Sequence, residues 1–388
     1  MSFFLICKRV LCFTLCIIMT FTFVNLSVNA LESDNKDMVF DCKSAILMEA
    51  NTGTVLYELN ADQALPPASV TKIMTLLLIM EEIDKGNLNY SDMVTTSSYA
   101  ASMGGSQIYL KEGEQMSVED MIKSVVISSA NDAAVALAEH ICGSEDMFVL
   151  RMNDKARELG MTNTNFENTN GLDDTVINHV TSARDIAIMS RELIKYEQIL
   201  KYSSTWMDTI RNGTFGLTNT NRLVRFYNGA TGLKTGSTAK AKFCVSATAE
   251  REGMHLICVI MGAPSSDVRN SIATQLLNWG FANYELYTSS AENLSPVKIK
   301  SGVENKCQIS STDFSVVVKK GDGKKMDKII NMPDKINAPI SYGDEIGYIE
   351  YRINNKLIGK SPIVSTVSID KINFGTLFVR ILSKFLIK

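Results

Sequence analysis

Pro67-Ala68-Ser69-Val70-Thr71-Lys72-Ile73-Met74-Thr75 is the stretch whose reading decides the fold. Pro66 and Pro67 stop the chain before it, and the apolar run from Ile73 to Ile83 begins a helix. At a helix start, Ser69 and Lys72 are three residues apart and share a face. A lysine held beside a serine in a dry cleft can lose its proton and act as base for the hydroxyl. The helix N-terminus adds unpaired N–H groups and the positive end of a dipole. Alone, the S-x-x-K spacing is weak, because a chain of this length holds on the order of one or two by chance. On that motif by itself, a solvated serine and lysine is the better reading.

Working outward, Ser44 to Met48 and Thr54 to Tyr57 flank the turn Asn51-Thr52-Gly53 and read as a hairpin. A second helix is expected from Val118 to His140. Ile122, Val125, Val126, Ala133, Val135 and Leu137 make it apolar nearly all round, the pattern of a helix buried within a domain. Helices are also expected at Asp185 to Tyr196 and Ser271 to Phe281. Phe243 to Ala249 and His255 to Met261 read as a hairpin turning at Glu250-Arg251-Glu252-Gly253. Strands at both ends with helices between them predict an α+β domain, an antiparallel sheet covered by helices.

Two polar groups interrupt these elements. Ser129-Ala130-Asn131 falls on the expected buried helix, where each polar side chain needs a partner or costs roughly 1–3 kcal/mol. Asp132 adds to that load. A kink satisfied by backbone carbonyls is the bland explanation, and function is the other. Lys234-Thr235-Gly236 stands just before the strand at Phe243. Its lysine and threonine can grip a carboxylate, and the glycine lets a ligand backbone come close. K-T-G is expected at roughly a tenth of an occurrence by chance in this length.

The chain has 388 residues, 45% hydrophobic and 21% charged, with net charge −3. These are globular values, and basic residues are spread along the chain, so nucleic acid is not an expected partner. Lys8 and Arg9, the apolar run Val10 to Val24 and Ser27-Val28-Asn29-Ala30 form a signal peptide pattern with cleavage after Ala30. Three of the eight cysteines lie in that segment. Cys42, Cys142, Cys244, Cys258 and Cys307 lack metal or disulfide-framework spacing and read as small hydrophobes. With only three histidines, far apart, neither a metal centre nor a Ser-His-Asp triad is expected, and no cofactor is.

Composition shifts near Ser289 to Asn293. Short alternating segments follow at Val297 to Lys300, Phe314 to Val318, Ile346 to Ile353 and Ile363 to Val367, a small all-β domain. On a terminal helix, Phe374, Phe378, Ile381, Leu382 and Phe385 share one face, opposite Asn373, Arg380, Lys384 and Lys388. That is the pattern of an anchor lying in the membrane interface. The expected organisation is a signal peptide at 1–30, a catalytic domain at 31–288, a β-domain at 289–368 and an anchor helix at 369–388.

Together, in this order, the three motifs are far more specific than any one of them. S-x-x-K, a serine–asparagine element and K-T-G mark penicillin-binding proteins and class A β-lactamases. Over nearly its whole length the chain resembles the low-molecular-weight penicillin-binding proteins that are serine D-alanyl-D-alanine carboxypeptidases. Asn170-Gly171-Leu172, Thr181-Ser182-Ala183-Arg184-Asp185 and Leu277-Asn278-Trp279-Gly280-Phe281 carry the resemblance further. It implies a transpeptidase-like catalytic domain in which Ser69 attacks the bond between two terminal D-alanines, Lys72 takes its proton and Ser129 relays one to the leaving amine. Asn131 would hold Lys72 and the substrate amide. Lys234, Thr235 and Gly236 would receive the carboxylate, with Arg269 adding charge and the N–H groups of Ser69 and Ser237 forming the oxyanion hole. The implied partners are peptidoglycan stem peptides, β-lactam antibiotics and the outer face of the cytoplasmic membrane. One departure is Lys242, where relatives commonly carry glycine. Two rivals stay open: a β-lactamase using Glu167 and Asn170, and a penicillin sensor without turnover.

Overall fold

Ser44–Glu49 (β1) and Val55–Leu59 (β2) form the expected hairpin in a computed structural model that describes residues 38–173 and 176–386. The expected signal peptide lies outside the described residues. Two short ribbons follow, Met93–Thr95 (β3) with Gln115–Ser117 (β4), and Met207–Ile210 (β5) with Phe215–Thr218 (β6). Ala230–Thr238 (β7), Lys242–Arg251 (β8) and Met254–Ala263 (β9) complete the main sheet in the order β2-β1-β9-β8-β7, antiparallel throughout.

The apolar runs of β1, β8 and β9 are nearly unbroken because both faces of the sheet are covered. Ile46, Met48, Ile257 and Val259 point into the core shared with the helix Lys72–Asp84. Alternate residues take the other side. There a Cβ on Gly280 of the helix Ser266–Asn283 would stand 2.7 Å from Leu256 and 2.9 Å from Leu47. The α+β expectation holds. In this order β7 is an outer strand, and Lys234-Thr235-Gly236 lies along it.

One expected element divides. The helix read from Val118 to His140 is two, Val118–Ile127 and Asn131–Cys142, and Ser129 lies in the turn between them. Ser129 has φ +63°, a left-handed conformation that no helix interior accommodates. The N–H groups of Ser128 and Ala130 both return to the Ser124 carbonyl, while that of Asn131 reaches Ser106 O at 2.7 Å. The polar triad is therefore a helix-to-helix turn, not a stretch of buried helix.

Beyond the helix Ser266–Asn283 the chain passes directly into Tyr284–Ser289 (β10), which pairs with Phe314–Lys319 (β13). A six-stranded sheet adds Asn293–Lys300 (β11), Lys306–Ser311 (β12), Met326–Asn331 (β14), Lys335–Asn337 (β15), Glu345–Ile353 (β16) and Lys356–Ser365 (β17). Their order is β14-β16-β17-β12-β11-β15. Val297, Ile309, Ile349 and Ile363 fill its core, and Phe314 stacks on Tyr351 at 3.9 Å. The five cysteines noted from the sequence are unbonded, and Cys244, Cys258 and Cys307 are buried.

The terminal helix runs Phe374–Leu386, with Phe374, Phe378, Ile381 and Leu382 exposed. Arg380 turns the other way. Its guanidinium donates to Gly302 O and Asn305 Oδ1, each at 3.3 Å, and to Val303 O, so the helix is tied to the β-domain by its polar side. Lys388 and the side chains of Lys384 and Phe385 lie outside the described residues.

Candidate active site

Ser69 belongs to a single 3-10 turn, Ala68–Thr71, and the α-helix proper begins at Lys72. Lys72 is fully buried, and its Nζ has three neighbours: Ser69 Oγ at 2.9 Å, Asn131 Oδ1 at 2.5 Å and the Asn170 carbonyl at 2.9 Å. Burial, reinforced by the charge of Lys234 and opposed by Asp132, holds the Lys72 pKa well below its ordinary value. A neutral amine has two protons and one lone pair. Both amide oxygens can only accept, so in the neutral form they would take the two protons and leave the lone pair to the serine hydroxyl.

Asn131 reaches Lys72 because the turn at Ser129 starts a fresh helix at this point. Its Nδ2 donates to Gly104 O at 2.7 Å, fixing the amide orientation. Ser129 itself is 4% exposed and lines the same cleft as Ser69. Asp132, a polar burden in the sequence, has a defined task. Its carboxylate accepts the N–H groups of Ile108, Leu110 and Ala133, pinning the rim segment that carries Ser106.

The facing wall is β7. Gly236 approaches so closely that a Cβ would sit 2.8 Å from Ser69 N and 2.9 Å from Val70 N; only glycine lets the strand and the Ser69 turn meet. Lys234 is buried, and burial with the neighbouring Arg269 charge pushes its pKa down to about 7. Thr235 Oγ1 donates to Thr220 Oγ1 at 2.8 Å. Arg269 projects from the helix Ser266–Asn283, donates to the Cys244 carbonyl, and has its pKa lowered to about 10 by burial. The resulting cleft, about 240 Å³, is lined by hydroxyls of Ser69, Ser106, Ser129, Ser237, Ser266, Thr220 and Thr235, with Arg269 at its edge.

The loop behind the cleft was only partly visible in the sequence. Asn170 O reaches Lys72 because Gly171, at φ +83°, lies flat against the nucleophile turn; a Cβ there would stand 1.8 Å from Ala68 O. Thr75 Oγ1 donates to Thr169 O at 2.6 Å, and Glu145 accepts both the N–H and the hydroxyl of Thr169. Thr238 Oγ1 donates to Asp173 at 2.5 Å, joining this loop to the end of β7. Nothing in the spacing of Glu145, Thr169 or Asp173 announces these contacts. Glu167, the residue a β-lactamase would need, is exposed, and its carboxylate accepts the N–H groups of Ile177 and Asn178 instead. Lys242 has φ +58°, a conformation that glycine adopts most readily.

A serine 2.9 Å from a buried lysine of depressed pKa, faced by Lys234-Thr235-Gly236 on an outer strand, is the arrangement of a serine acyl-transfer enzyme of the penicillin-binding type. The family model for D-alanyl-D-alanine carboxypeptidase matches residues 30–265, and that for the C-terminal domain of penicillin-binding protein 5 matches 281–371. The chain belongs to the D-alanyl-D-alanine carboxypeptidase family and is a serine-type carboxypeptidase. D-alanyl-D-alanine carboxypeptidase DacF of Bacillus subtilis is 44% identical over 351 residues, 89% of this chain and 90% of its own. DacC of Escherichia coli is 32% identical, covering 89% of this chain and 88% of its own. The solved structure of penicillin-binding protein 5 from Haemophilus influenzae matches with a TM-score of 0.77 at 31% identity, covering 86% of this chain and 99% of that one.

Proposed function

We propose that Ser69 is the nucleophile that removes the terminal D-alanine from peptidoglycan stem peptides, with Lys72 as its base. The observation that carries this is the buried Lys72 Nζ, its pKa depressed, 2.9 Å from Ser69 Oγ. In the first step the Ser69 proton passes to Lys72 while Oγ bonds the scissile carbonyl carbon. The oxyanion is held by the N–H groups of Ser69 and Ser237. The C–N bond then breaks as Ser129 gives its proton to the departing amine and takes up the one held by Lys72, and water hydrolyses the ester, its proton returning to Ser69 through Lys72. Asn131 orients Lys72 and the substrate amide. Lys234, Thr235 and Arg269 hold the terminal carboxylate, with Gly236 leaving room for the chain beside them. Penicillin acylates the same serine.

The exposed position of Glu167 favours the carboxypeptidase over a β-lactamase. Excess penicillin is expected to give one long-lived adduct on the peptide containing Ser69, read by mass spectrometry, while the free chain releases D-alanine from a pentapeptide. Rapid penicillin turnover, an adduct elsewhere, or no D-alanine release would sink the reading.

Lys234 sets a pH limit. Its charged form exists below about 7 in the free enzyme, and the carboxylate needs that charge. Activity as kcat/KM should therefore fall as pH rises through about 7. Lys234→Arg, which stays charged, should move that limb upward. An unmoved limb would remove Lys234 from the assignment.

We also propose the division into signal peptide, catalytic domain, β-domain and anchor, with export to the outer face of the cytoplasmic membrane. The exposed apolar residues of Phe374–Leu386 support an interfacial anchor, and among the described residues no helix is long and apolar enough to cross a membrane.

A further inference from the structure

Behind the nucleophile turn lies a buried imidazole that the mechanism does not use. His179 is 5% exposed and does not line the cleft. Its Nε2 is 2.7 Å from Thr71 Oγ1, and the Glu167 N–H reaches its Nδ1 at 3.0 Å. Thr71 has a single hydroxyl proton, and it goes to the Ala68 carbonyl at 2.8 Å. The His179 contact must then be donated by Nε2–H, which leaves Nδ1 as the lone pair that accepts from Glu167. Each proton has one place, and all the places require a neutral ring. Burial supplies that condition by lowering the His179 pKa to about 4, against the opposing charges of Glu167 and Asp173.

The chain of hydrogen bonds ends on Ala68, whose φ is +50°. A non-glycine residue keeps this conformation only when its surroundings over-determine it. Two features act on its carbonyl: the Thr71 hydroxyl and the close approach of Gly171. Ser69 is the next residue, so the direction of that carbonyl sets the direction of the Ser69 N–H and hydroxyl.

We propose that His179 is a positioning residue for acyl transfer, acting through Thr71 to fix the Ala68 carbonyl and thereby the attacking geometry of Ser69. This rests on Ser69 being the nucleophile. It calls for His179→Leu, His179→Gln, Thr71→Val and the His179→Leu/Thr71→Val double variant, each titrated with excess fluorescent penicillin to count active sites. The acylation rate constant per titrated site is then measured.

His179→Leu and Thr71→Val should each slow acylation about 10- to 100-fold, the scale of a small misplacement of a reacting atom. His179→Gln, which keeps a donor for Thr71, should stay within about threefold of wild type. The double variant should be no slower than the slower single, because both break one chain. A purely structural histidine would lower the melting temperature and leave the rate per site unchanged. That result, or effects that multiply in the double variant, would overturn the proposal. Should His179→Leu fail to fold, Thr71→Val and His179→Gln carry the same test. A wild-type adduct mapped away from Ser69 would remove the nucleophile assignment and this proposal together, whereas normal acylation of Ser69 in His179→Leu removes the proposal alone.

Discussion

Ser69→Ala is expected to release D-alanine from a pentapeptide at least about 10⁴-fold more slowly than wild type and to form no penicillin adduct. The methyl group has no lone pair to attack a carbonyl, and no other group in the cleft is held as Ser69 is, 2.9 Å from a buried amine. Binding should survive. The carboxylate grip on β7 and the turn N–H groups do not depend on the hydroxyl, so the Kd for the unhydrolysed peptide should change little. Stability should change little as well, since the Ser69 hydroxyl has its contact only with Lys72 among the described residues. D-alanine release by the titrated variant at more than a hundredth of the wild-type rate would show that another group attacks.

Lys72→Met should slow acylation by roughly 10³-fold, within the range expected for loss of a general base. Methionine nearly matches the lysine stem in shape but has no proton-accepting amine. It also leaves Asn131 Oδ1 and the Asn170 carbonyl without the N–H groups they now receive, at about 1–3 kcal/mol each if water does not enter. Against this, methionine carries no amine to desolvate in a site that already disfavours the charged form. The two effects oppose each other, so the melting temperature should move far less than the rate. The pH dependence separates base from scaffold. The Lys72 pKa is depressed by burial, so its neutral form gains ground at lower pH than for an exposed lysine and is lost as pH falls through the folded-state value. Wild type should show that acid limb in its acylation rate and Lys72→Met should not. A variant that keeps the limb would place the base elsewhere.

Much of this could be read from residues alone, and the reasons differ by element. β1, β8 and β9 were legible because strands covered on both faces are continuous apolar runs with turn residues at their ends. β14 was not, because four of its six residues face solvent and no alternation survives. The break at Ser129 was hidden for another reason. A left-handed serine has no compositional mark, and the flanking apolar residues keep helical spacing across it. Ser69, Lys72, Asn131 and Lys234 stood out as polar groups set in apolar runs at known spacings. Asn170, Asp173 and His179 act through a backbone carbonyl, a hydroxyl clasp and a buried relay. Asn170 lies 98 residues from the lysine it touches, a separation no local pattern encodes.

Ala68, next to Ser69, and Ser129, in the same cleft wall, both hold left-handed backbone at about 1–2 kcal/mol apiece. Lys72 and Lys234, both buried amines, belong to the same site. Catalysis and endurance therefore pull in opposite directions at this spot. A lineage selected for heat resistance alone would relax first at the two turns, toward glycine, and nothing would hold it to the two amines. It would gain stability at Ser129 through a change that costs the proton donor proposed there. Persistence of these four residues in a descendant would thus be a record of continued selection for activity rather than for folding.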